Sequence, residues 1–448
     1  MAIGTKSLVE CINKSISTAS TALQVLQLAS ATKDFEDGFV YSVANIAALP
    51  SASLNTGRMV YVQNICSYRI SDGTSWTSDF TSILVTSVWA WGYNAQGQLG
   101  DGTTTNRSSP VSVVGGFTDW CQVSASSKHT LGVRANGTAW GWGFAYSGQL
   151  GDGLADSNKS SPVSVVGGFT DWRQVSAGYL HGLGLRTNGS LWAWGENLCG
   201  ALGDGTVTNK SSPVSVVGGF TDWCQISAGQ RFSAAVRSNG SIWTWGCNTF
   251  GQLGDGTTVS RSSPVSVVGG FTNWCQVSAG TSHIIGIRTN GTLWAWGFNT
   301  QGQLGDGGFT ASRLSPVSVV GGFTDWCQVS NSYSPSFAIR TNGTAWGWGY
   351  NASGQLGNNS TVARSSPVSV VGGFTDWCQV SAGSSHTIGL RTNGTLWAWG
   401  SNNSGNLGNN STTSRSSPVS VVGGFNDWCQ IAAGGSHTVG IRTTGRGF

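Results

Sequence analysis

The sequence has few charged residues and no long apolar run. Only 9% of its 448 residues are Asp, Glu, Lys or Arg, well below the usual share of about 25%. The net charge of +4 is too small to indicate nucleic-acid binding by itself. No apolar run reaches the length of about 18 residues that a membrane-spanning helix needs. A secretory signal is also absent, because Glu10 and Lys14 interrupt the apolar stretch near the N-terminus. We therefore expect a chain that is made and assembled in a cytoplasm.

Cysteine pairs with the spacing of a zinc site are absent as well. Six of the ten cysteines instead recur at one repeated position, and a seventh copy has Arg173 there: Cys121, Cys224, Cys275, Cys327, Cys378 and Cys429. A residue that recurs once per unit faces its equivalents at a fixed spacing and has no dedicated partner. We therefore expect these six to be reduced and mostly buried. The sequence predicts no metal site and no cofactor.

What the sequence has in abundance is glycine and tryptophan, with 67 and 22 residues. They follow a period of 51 or 52 residues, which the second Trp of each "WxWG" marks: Trp91, Trp142, Trp194, Trp245, Trp296, Trp348 and Trp399. Each period contains four strand-like segments, here named a to d, such as "WCQVSA", "HTIGLR", "TLWAWG" and "SPVSVV". An Asn-Gly pair between b and c, such as Asn290-Gly291, predicts a type I′ hairpin. Four short strands per period are typical of a β-propeller blade.

The two ends of the repeat region complement each other. The last copy ends at Phe448 after segments a and b, and the first copy begins near residue 85 with segments c and d. Joining them makes one complete blade, which closes the ring and leaves no free sheet edge. The sequence therefore predicts an all-β fold, a seven-bladed β-propeller over residues 85–448 that is closed by its N- and C-terminal strands.

The repeat resembles that of the regulator of chromosome condensation family. The stretch "AGTSHIIGIRTNGTLWAWGFNTQGQLGDG" contains the family's Gly-x-x-His strand, its turn, its "WG" and its "GQLG" loop. This resemblance covers residues 85–448 and implies the propeller fold. It implies little about function, because propellers carry many unrelated activities. Members of the family include adaptors and nucleotide-exchange factors for small GTPases.

The loops on one face of the predicted propeller vary much more than those on the other. The a–b and c–d loops lie on the same face, and all length differences fall in the c–d loop. Aromatic and basic residues collect in these loops, and we predict that the following ten form a binding face: Tyr93, Lys128, Phe144, Tyr146, Tyr179, Leu180, Arg231, Phe298, Tyr333 and Tyr350. Drift in loops without a function is the alternative.

Other recurring residues favour structure over chemistry. All five histidines occupy one repeat position, where Phe232 and Pro335 stand in the other two copies, so a hydrogen-bonded structural role is expected. An Arg ends segment b in every copy, and an Asp in the "FTDW" turn can pair with it, which weakens a phosphate-binding interpretation. The Asp of "LGDG" is typical of turns. With no nucleophile–base set, the sequence does not predict an enzyme.

The N-terminal residues lie outside the repeats. Apolar residues at alternating spacings of three and four predict a helix over 1–32 that oligomerises or docks: Val9, Ile12, Ile16, Leu23 and Leu26, with Ala19 between them. An ordinary amphipathic helix packed on the propeller is the alternative. Residues 33–84 predict a small β-module, with strands at "RMVYVQ" and "SYRIS" and a hairpin at Asp72-Gly73. This module resembles those of bacteriophage tail fibres and spikes.

These observations favour a bacteriophage virion protein of the tail-fibre or spike type. In this interpretation the N-terminus attaches to other virion proteins and forms a homo-oligomer such as a trimer. The propeller binds a host-surface glycan or protein, and the protein resides in the virion after assembly in the host cytoplasm. Neither nucleic acid nor membrane insertion is expected. The alternatives are a cellular propeller adaptor or small-GTPase exchange factor, and a virion decoration protein without a receptor.

Overall fold

The computed structural model describes residues 84–309 and 311–445, together with four short strands at 41–43, 59–62, 67–71 and 76–77. All regular secondary structure in these residues is β. Within the described part of the chain, nothing forms a helix that is long and apolar enough to cross a membrane.

The first sheet lies ahead of the repeats. It contains β1 (Tyr41–Val43), β2 (Met59–Val62), β3 (Ser67–Ser71) and β4 (Trp76–Thr77) in that order. Strands β1 and β2 are parallel, whereas β2–β3 and β3–β4 are antiparallel. The β3–β4 pair agrees with the hairpin expected between them. The predicted helix over 1–32 and its oligomerisation lie outside the described residues, and the domain boundaries at 32 and 84 stay predictions.

Seven four-stranded antiparallel sheets follow, and we number them as blades in chain order. Blade 1 contains β7 (Trp120–Ala125), β8 (His129–Arg134), β9 (Ala139–Gly143) and β10 (Lys159–Ser164). Blade 2 contains β11 (Trp172–Ala177), β12 (His181–Arg186), β13 (Leu191–Gly195) and β14 (Lys210–Ser215). Blade 3 contains β15 (Trp223–Ala228), β16 (Phe232–Arg237), β17 (Ile242–Gly246) and β18 (Arg261–Ser266). Blade 4 contains β19 (Trp274–Ala279), β20 (His283–Arg288), β21 (Leu293–Gly297) and β22 (Arg313–Ser318).

The remaining three blades complete the ring. Blade 5 contains β23 (Trp326–Asn331), β24 (Pro335–Arg340), β25 (Ala345–Gly349) and β26 (Arg364–Ser369). Blade 6 contains β27 (Trp377–Ala382), β28 (His386–Arg391), β29 (Leu396–Gly400) and β30 (Arg415–Ser420). Blade 7 contains β31 (Trp428–Ala433), β32 (His437–Gly445), β5 (Leu84–Gly92) and β6 (Arg107–Ser112). The seven-bladed propeller and its closure by the two terminal segments are thus confirmed, since β32 pairs with β5 in blade 7.

Tryptophan joins each blade to the one before it. Trp142 of strand c in blade 1 is fully buried, and its Nε1 donates a 3.0 Å hydrogen bond to the Gln98 carbonyl of the blade 7 c–d loop. Gly100 of the same loop lies so close to this ring that an added Cβ would be 2.8 Å from Nε1. The repeated "LG" therefore allows the loop backbone to rest on the neighbouring indole, and each loop position is fixed by the next blade.

Glutamine joins neighbouring blades through strand a. The Gln122 amide donates to the Val175 carbonyl at 2.9 Å and accepts from the Val175 N–H at 2.8 Å. The side chain thus satisfies a backbone donor and acceptor of the next blade, where no strand pairs directly. This device recurs at other blade boundaries, as between Gln225 and Val277. It stabilises the ring without a continuous sheet.

The b–c hairpin differs from the predicted type I′ turn. Gly137 has a φ of +74°, but its neighbour Asn136 is not among the residues with positive φ. The Gly137 N–H donates to the Arg134 carbonyl at 2.9 Å, which makes a type I turn followed by a left-handed glycine. The Asn136 carboxamide oxygen accepts from Thr138, so its role is side-chain bonding and not a left-handed backbone. The type I′ prediction was wrong.

Candidate functional site

The loop face carries the a–b and c–d loops of every blade. The Phe144 N–H, directly after strand c, donates to the Lys128 carbonyl in the a–b loop at 2.9 Å. The opposite turn face carries the b–c hairpins and the "GGFTD" connections, since Trp172 N–H donates to the Gly137 carbonyl. The first residue of strand d follows the last residue of strand c by 15 or 16 positions, and the extra residue lies in blades 1 and 4.

A buried asparagine gives most c–d loops one rigid frame. Asn94 in blade 7 is fully buried; its amide donates to the Asp101 carboxylate at 3.0 Å, and its oxygen accepts from the Leu99 N–H at 2.9 Å. Asp101 also accepts from Thr103 and from Arg107. The hydrogen bonds of the Thr103 and Asn94 side chains and the Arg107 guanidinium hold the pKa of Asp101 below its usual value despite its burial. These contacts agree with the turn role that the sequence predicts for this aspartate.

Lys128 forms the centre of an aromatic cluster on the loop face. Its Nζ lies 4.9 Å from the Phe144 ring centroid and 5.5 Å from that of Tyr179, within the range of cation–π attraction. Tyr146 packs against Phe144 with centroids 5.3 Å apart and is 60% exposed. Tyr93 and Tyr179 line a cavity of about 290 Å³ together with Lys128. We call these five residues the aromatic pocket.

The other predicted loop-face residues lie outside this pocket. Arg231 forms an ion pair with Glu196 at 3.2 Å, and Phe298 stacks on Phe250 with centroids 4.6 Å apart. Tyr333 is 54% exposed in blade 5, where Tyr350 is half-buried. The half-buried Leu180 contributes its carbonyl to the Glu196 N–H. The ten predicted residues therefore share one face but do not form one site.

Most cations of the turn face are paired with carboxylates. In six blades the strand-b arginine pairs with an aspartate of the same face at 2.7 or 2.8 Å: Arg134–Asp119, Arg186–Asp171, Arg237–Asp222, Arg340–Asp325, Arg391–Asp376 and Arg442–Asp427. In blade 4 the partner is Asn273 at 2.7 Å from Arg288. These guanidinium groups also lie over phenylalanine rings, as Arg134 does over Phe117 at 4.1 Å. The predicted charge pairing is confirmed.

The histidines join blades inside the propeller. Each is at most 1% exposed, and Nε2 of His386 lies 2.9 Å from the Thr438 hydroxyl of the next blade. Burial lowers the pKa of His181 and His386 to about 4 and that of His283 to about 3. His129 lacks the next-blade hydroxyl at Nε2 because blade 2 has Gly182 at that position, but its Nδ1 lies 2.9 Å from the Ser126 hydroxyl of its own blade. The predicted hydrogen-bonded structural role is confirmed for the bonded rings.

The recurring cysteines are thiols, but they are less buried than expected. Cys327 and Cys378 are buried, Cys224 is exposed, and the other three are intermediate. Each follows the first residue of strand a, where the register with strand b shifts, as between Trp223 and Gln225. This bulge removes the residue from the regular alternation of the strand, so the prediction of mostly buried cysteines was wrong.

Two further features escaped sequence analysis. Cys199 and Cys247 form a disulfide between the loops of blades 2 and 3, with Cα atoms 5.0 Å apart. Both lie outside the recurring cysteine position, in consecutive copies, and that is the signal that could have indicated them. The second is the basic residue that begins strand d in every blade. Among the described residues, no group of His, Cys, Asp or Glu could hold a metal ion.

The fold and its variable loop face define a β-propeller of the kind that carries binding sites on one face. Comparisons with known proteins specify its family. The RCC1-like domain matches residues 163–448, and the regulator of chromosome condensation (RCC1) repeat matches residues 87–133, 136–185 and 120–149. The chain therefore belongs to the RCC1-like domain family.

Individual relatives cover the propeller to different extents. The ultraviolet-B receptor UVR8 of Arabidopsis thaliana is 30% identical over 344 residues, which are 74% of this chain and 76% of the receptor. The human E3 ubiquitin-protein ligase HERC2 is 28% identical over 80% of this chain, but the match spans only 8% of the ligase. Yeast RCC1 (Prp20), solved with Kap60, superposes with a TM-score of 0.73 at 18% identity over 82% of this chain and 91% of Prp20. This last likeness shows the fold alone.

These relatives contradict the bacteriophage interpretation. They are plant, mammalian and yeast proteins, so the predicted virion function, virion localisation, and virion or host-glycan partners were wrong. The resemblance of the N-terminal module to tail fibres is not shown. The spaced Gly, Tyr and Asp-Gly residues of that module indicate strands and a hairpin. Such elements occur in many lineages, so they do not identify a virion protein. That the chain is not an enzyme stays a prediction.

Proposed function

We propose that this chain is a cellular propeller adaptor whose loop face binds a partner protein. The observation that carries this proposal is the aromatic pocket, where Lys128 forms no ion pair with any described residue and lies near two rings beside an open cavity. Tyrosine is among the residue types that dominate the energy of protein interfaces.

The dimensions of the pocket favour a protein ligand. A volume of about 290 Å³ is at the lower limit of small-molecule sites, and it fits one or two side chains of a partner. Tyr and Phe side chains have only two χ angles, so little conformational freedom is lost on binding. The turn face offers less, because six of its seven strand-b guanidinium groups are already paired with carboxylates.

Known proteins of similar fold also support a protein partner. The yeast propeller Prp20 has been solved bound to Kap60, and it is described with binding to Gsp1p and histones. At 18% identity these partners do not transfer to this chain. They support only the general proposal that the propeller surface of this family binds proteins.

Nucleotide exchange on a small GTPase is the second candidate. Exchange factors of this family usually carry a distinctive insertion from one blade, whereas the c–d loops here differ by a single residue in length. The adaptor proposal is therefore favoured. Release of labelled GDP from a panel of Ran-like GTPases tests the alternative, and catalysed release at submicromolar propeller would replace the adaptor proposal.

Site-specific photo-crosslinking tests which face is occupied. Benzoylphenylalanine placed at Tyr93 or Tyr179 should crosslink a partner in cells, because both residues line the cavity. The same group at Asn188, which is exposed in the turn of blade 2, is the matched control. The crosslinked partner is then identified, and its affinity is compared for the parent and for Lys128→Ala and Tyr179→Ala. Crosslinks at Asn188 alone, or unchanged affinity in both variants, would overturn the proposal.

A further inference from the structure

The basic residues that begin strand d form a ring around the rim of the loop face. In blades 3, 4 and 7 the Arg pairs with the aspartate of its own c–d loop at 2.8 to 3.1 Å: Arg261–Asp255, Arg313–Asp306 and Arg107–Asp101. In blade 1 Lys159 pairs with Asp156, and the blade 2 loop retains Asp204. Each of these five loops therefore contains a carboxylate, and in blades 1, 3, 4 and 7 that carboxylate forms an ion pair with the cation of strand d.

Blades 5 and 6 break this pattern. Their c–d loops have Asn358 and Asn409 at the aspartate position, yet Arg364 and Arg415 remain and are exposed. Within residues 84–309 and 311–445, neither of these two guanidinium groups forms an ion pair. These two loops therefore lack the negative charge of the aspartate, whereas the positive charge that begins strand d is present.

The asparagines retain the structural role of the aspartate. The Asn351 amide donates to the Asn358 oxygen at 3.2 Å, and the Asn402 amide donates to Asn409 at 3.0 Å, as Asn94 does to its aspartate at 3.0 Å. The loop is thus held in the same way in all these blades. The substitutions change the electrostatics of the rim and leave the geometry in place.

The two arginines border one loop. The Asn359 N–H of the blade 5 loop donates to the Ser416 carbonyl at 2.8 Å, directly after Arg415, and the same loop ends at Arg364. Val362, 60% exposed, lies two residues before Arg364. This loop therefore carries an exposed apolar side chain, ends at one of the two cations and contacts the adjacent strand that begins with the other.

We propose that this rim, Val362, Arg364 and Arg415, binds an acidic peptide segment of a partner protein. A guanidinium group matches a carboxylate with two parallel hydrogen bonds, and among the described residues no carboxylate pairs with Arg364 or Arg415. The positive stretch ends after two residues, because the cations of blades 4 and 7 are neutralised. A nucleic acid would need a longer stripe. This acidic-peptide site specifies part of the proposed adaptor function. It rests on that function only because the partner is taken to be a protein.

Fluorescence anisotropy with a labelled octaglutamate peptide tests the site, with octaglutamine as the peptide control. The double variant Asn358→Asp/Asn409→Asp restores the carboxylates that other blades carry and is expected to fold normally. It should weaken binding by about tenfold or more, as should Arg364→Ala/Arg415→Ala. Arg261→Ala, at an already paired position, should bind like the parent. The reverse change Asp255→Asn/Asp306→Asn should create a second site.

Three results would overturn this proposal. The first is equal binding of octaglutamate by the parent and by the Asn358→Asp/Asn409→Asp variant. The second is equal binding of octaglutamine and octaglutamate by the parent. The third is tighter binding of an oligothymidylate that competes with the peptide, which would assign the rim to nucleic acid. Failure of the adaptor proposal is distinguishable, because Lys128→Ala and Tyr179→Ala should leave peptide binding unchanged. Conversely, loss of the rim site would leave crosslinking at Tyr179 intact.

Discussion

The buried histidines should make the propeller sensitive to mild acid. All five rings are at most 1% exposed, and burial lowers the pKa of each to about 3 or 4. In the unfolded chain the pKa returns to about 6.5. Between these values the unfolded state binds protons that the folded state does not, so stability falls as the pH falls below 6.5.

The magnitude is large for a protein of this size. Each ring contributes a slope of up to about 1.4 kcal/mol per pH unit, which amounts to about 2 kcal/mol between pH 7.5 and pH 5. Five rings give about 10 kcal/mol over the same interval, which is comparable to the total stability of a typical domain. The lowered carboxylate pKa values, as for Asp255 and Asp306, act only below about pH 4. The loss at pH 5 is therefore attributable to histidine.

Urea unfolding followed by tryptophan fluorescence at several pH values measures this slope. His129→Phe should reduce the slope by one proton and cost about 1 kcal/mol at pH 7.5, because it loses the bond between Nδ1 and the Ser126 hydroxyl. Phe232 occupies the equivalent position in blade 3 and is fully buried. His386→Phe should reduce the slope equally and at a similar cost, since it loses the bond to Thr438. A free energy of unfolding that is constant from pH 7.5 to 5 would refute the reasoning.

Three further predictions concern contacts between and within blades. Thr438→Val should cost about 1 to 3 kcal/mol of stability in urea unfolding, because it leaves the buried Nε2 of His386 without a partner. Asp171→Asn should change the thermal midpoint little, whereas Asp171→Ala should lower stability by about 0.5 to 1 kcal/mol, because only the alanine leaves Arg186 without an acceptor. Cys247→Ser should lower stability by about 2 to 4 kcal/mol, and thiol alkylation mapped by mass spectrometry should label Cys247 in the parent only after reduction.

Each of these three predictions would be contradicted by one specific result. A threonine variant as stable as the parent would show that the hydroxyl contributes nothing at that boundary. Equal effects of alanine and asparagine on the turn face would place the stabilisation in charge and not in the hydrogen bond. Alkylation of both loop cysteines without reductant would show that the disulfide does not form in solution.

The parts of the fold that depend on repetition were predictable from the sequence. A period of 51 or 52 residues determines the blades, and a first and last copy with complementary gaps determine the closure. The Arg–Asp pairs followed from the strand direction, which places both residues on one face. Each of these inferences needs only neighbours along the chain or an identical position in the next copy.

The parts that depend on contacts between unlike residues were not predictable. The disulfide joins Cys199 to Cys247 across a blade boundary, and the repeat pattern does not specify that those two loop positions face each other. Lys128 meets Phe144 in its own blade but Tyr179 in the next, so its two rings come from different copies. The biological setting was wrong for another reason, because it depended on a short N-terminal pattern that is not specific to one lineage.

The central claim is that the loop face is the binding surface. Hydrogen–deuterium exchange of the propeller, alone and with the partner identified by crosslinking, tests it most directly. We expect added protection at residues 93–98, 126–128 and 179–180, which surround the aromatic pocket, and unchanged exchange in the b–c hairpins. Protection confined to those hairpins, as at Asn188-Gly189, would contradict the claim and assign binding to the turn face.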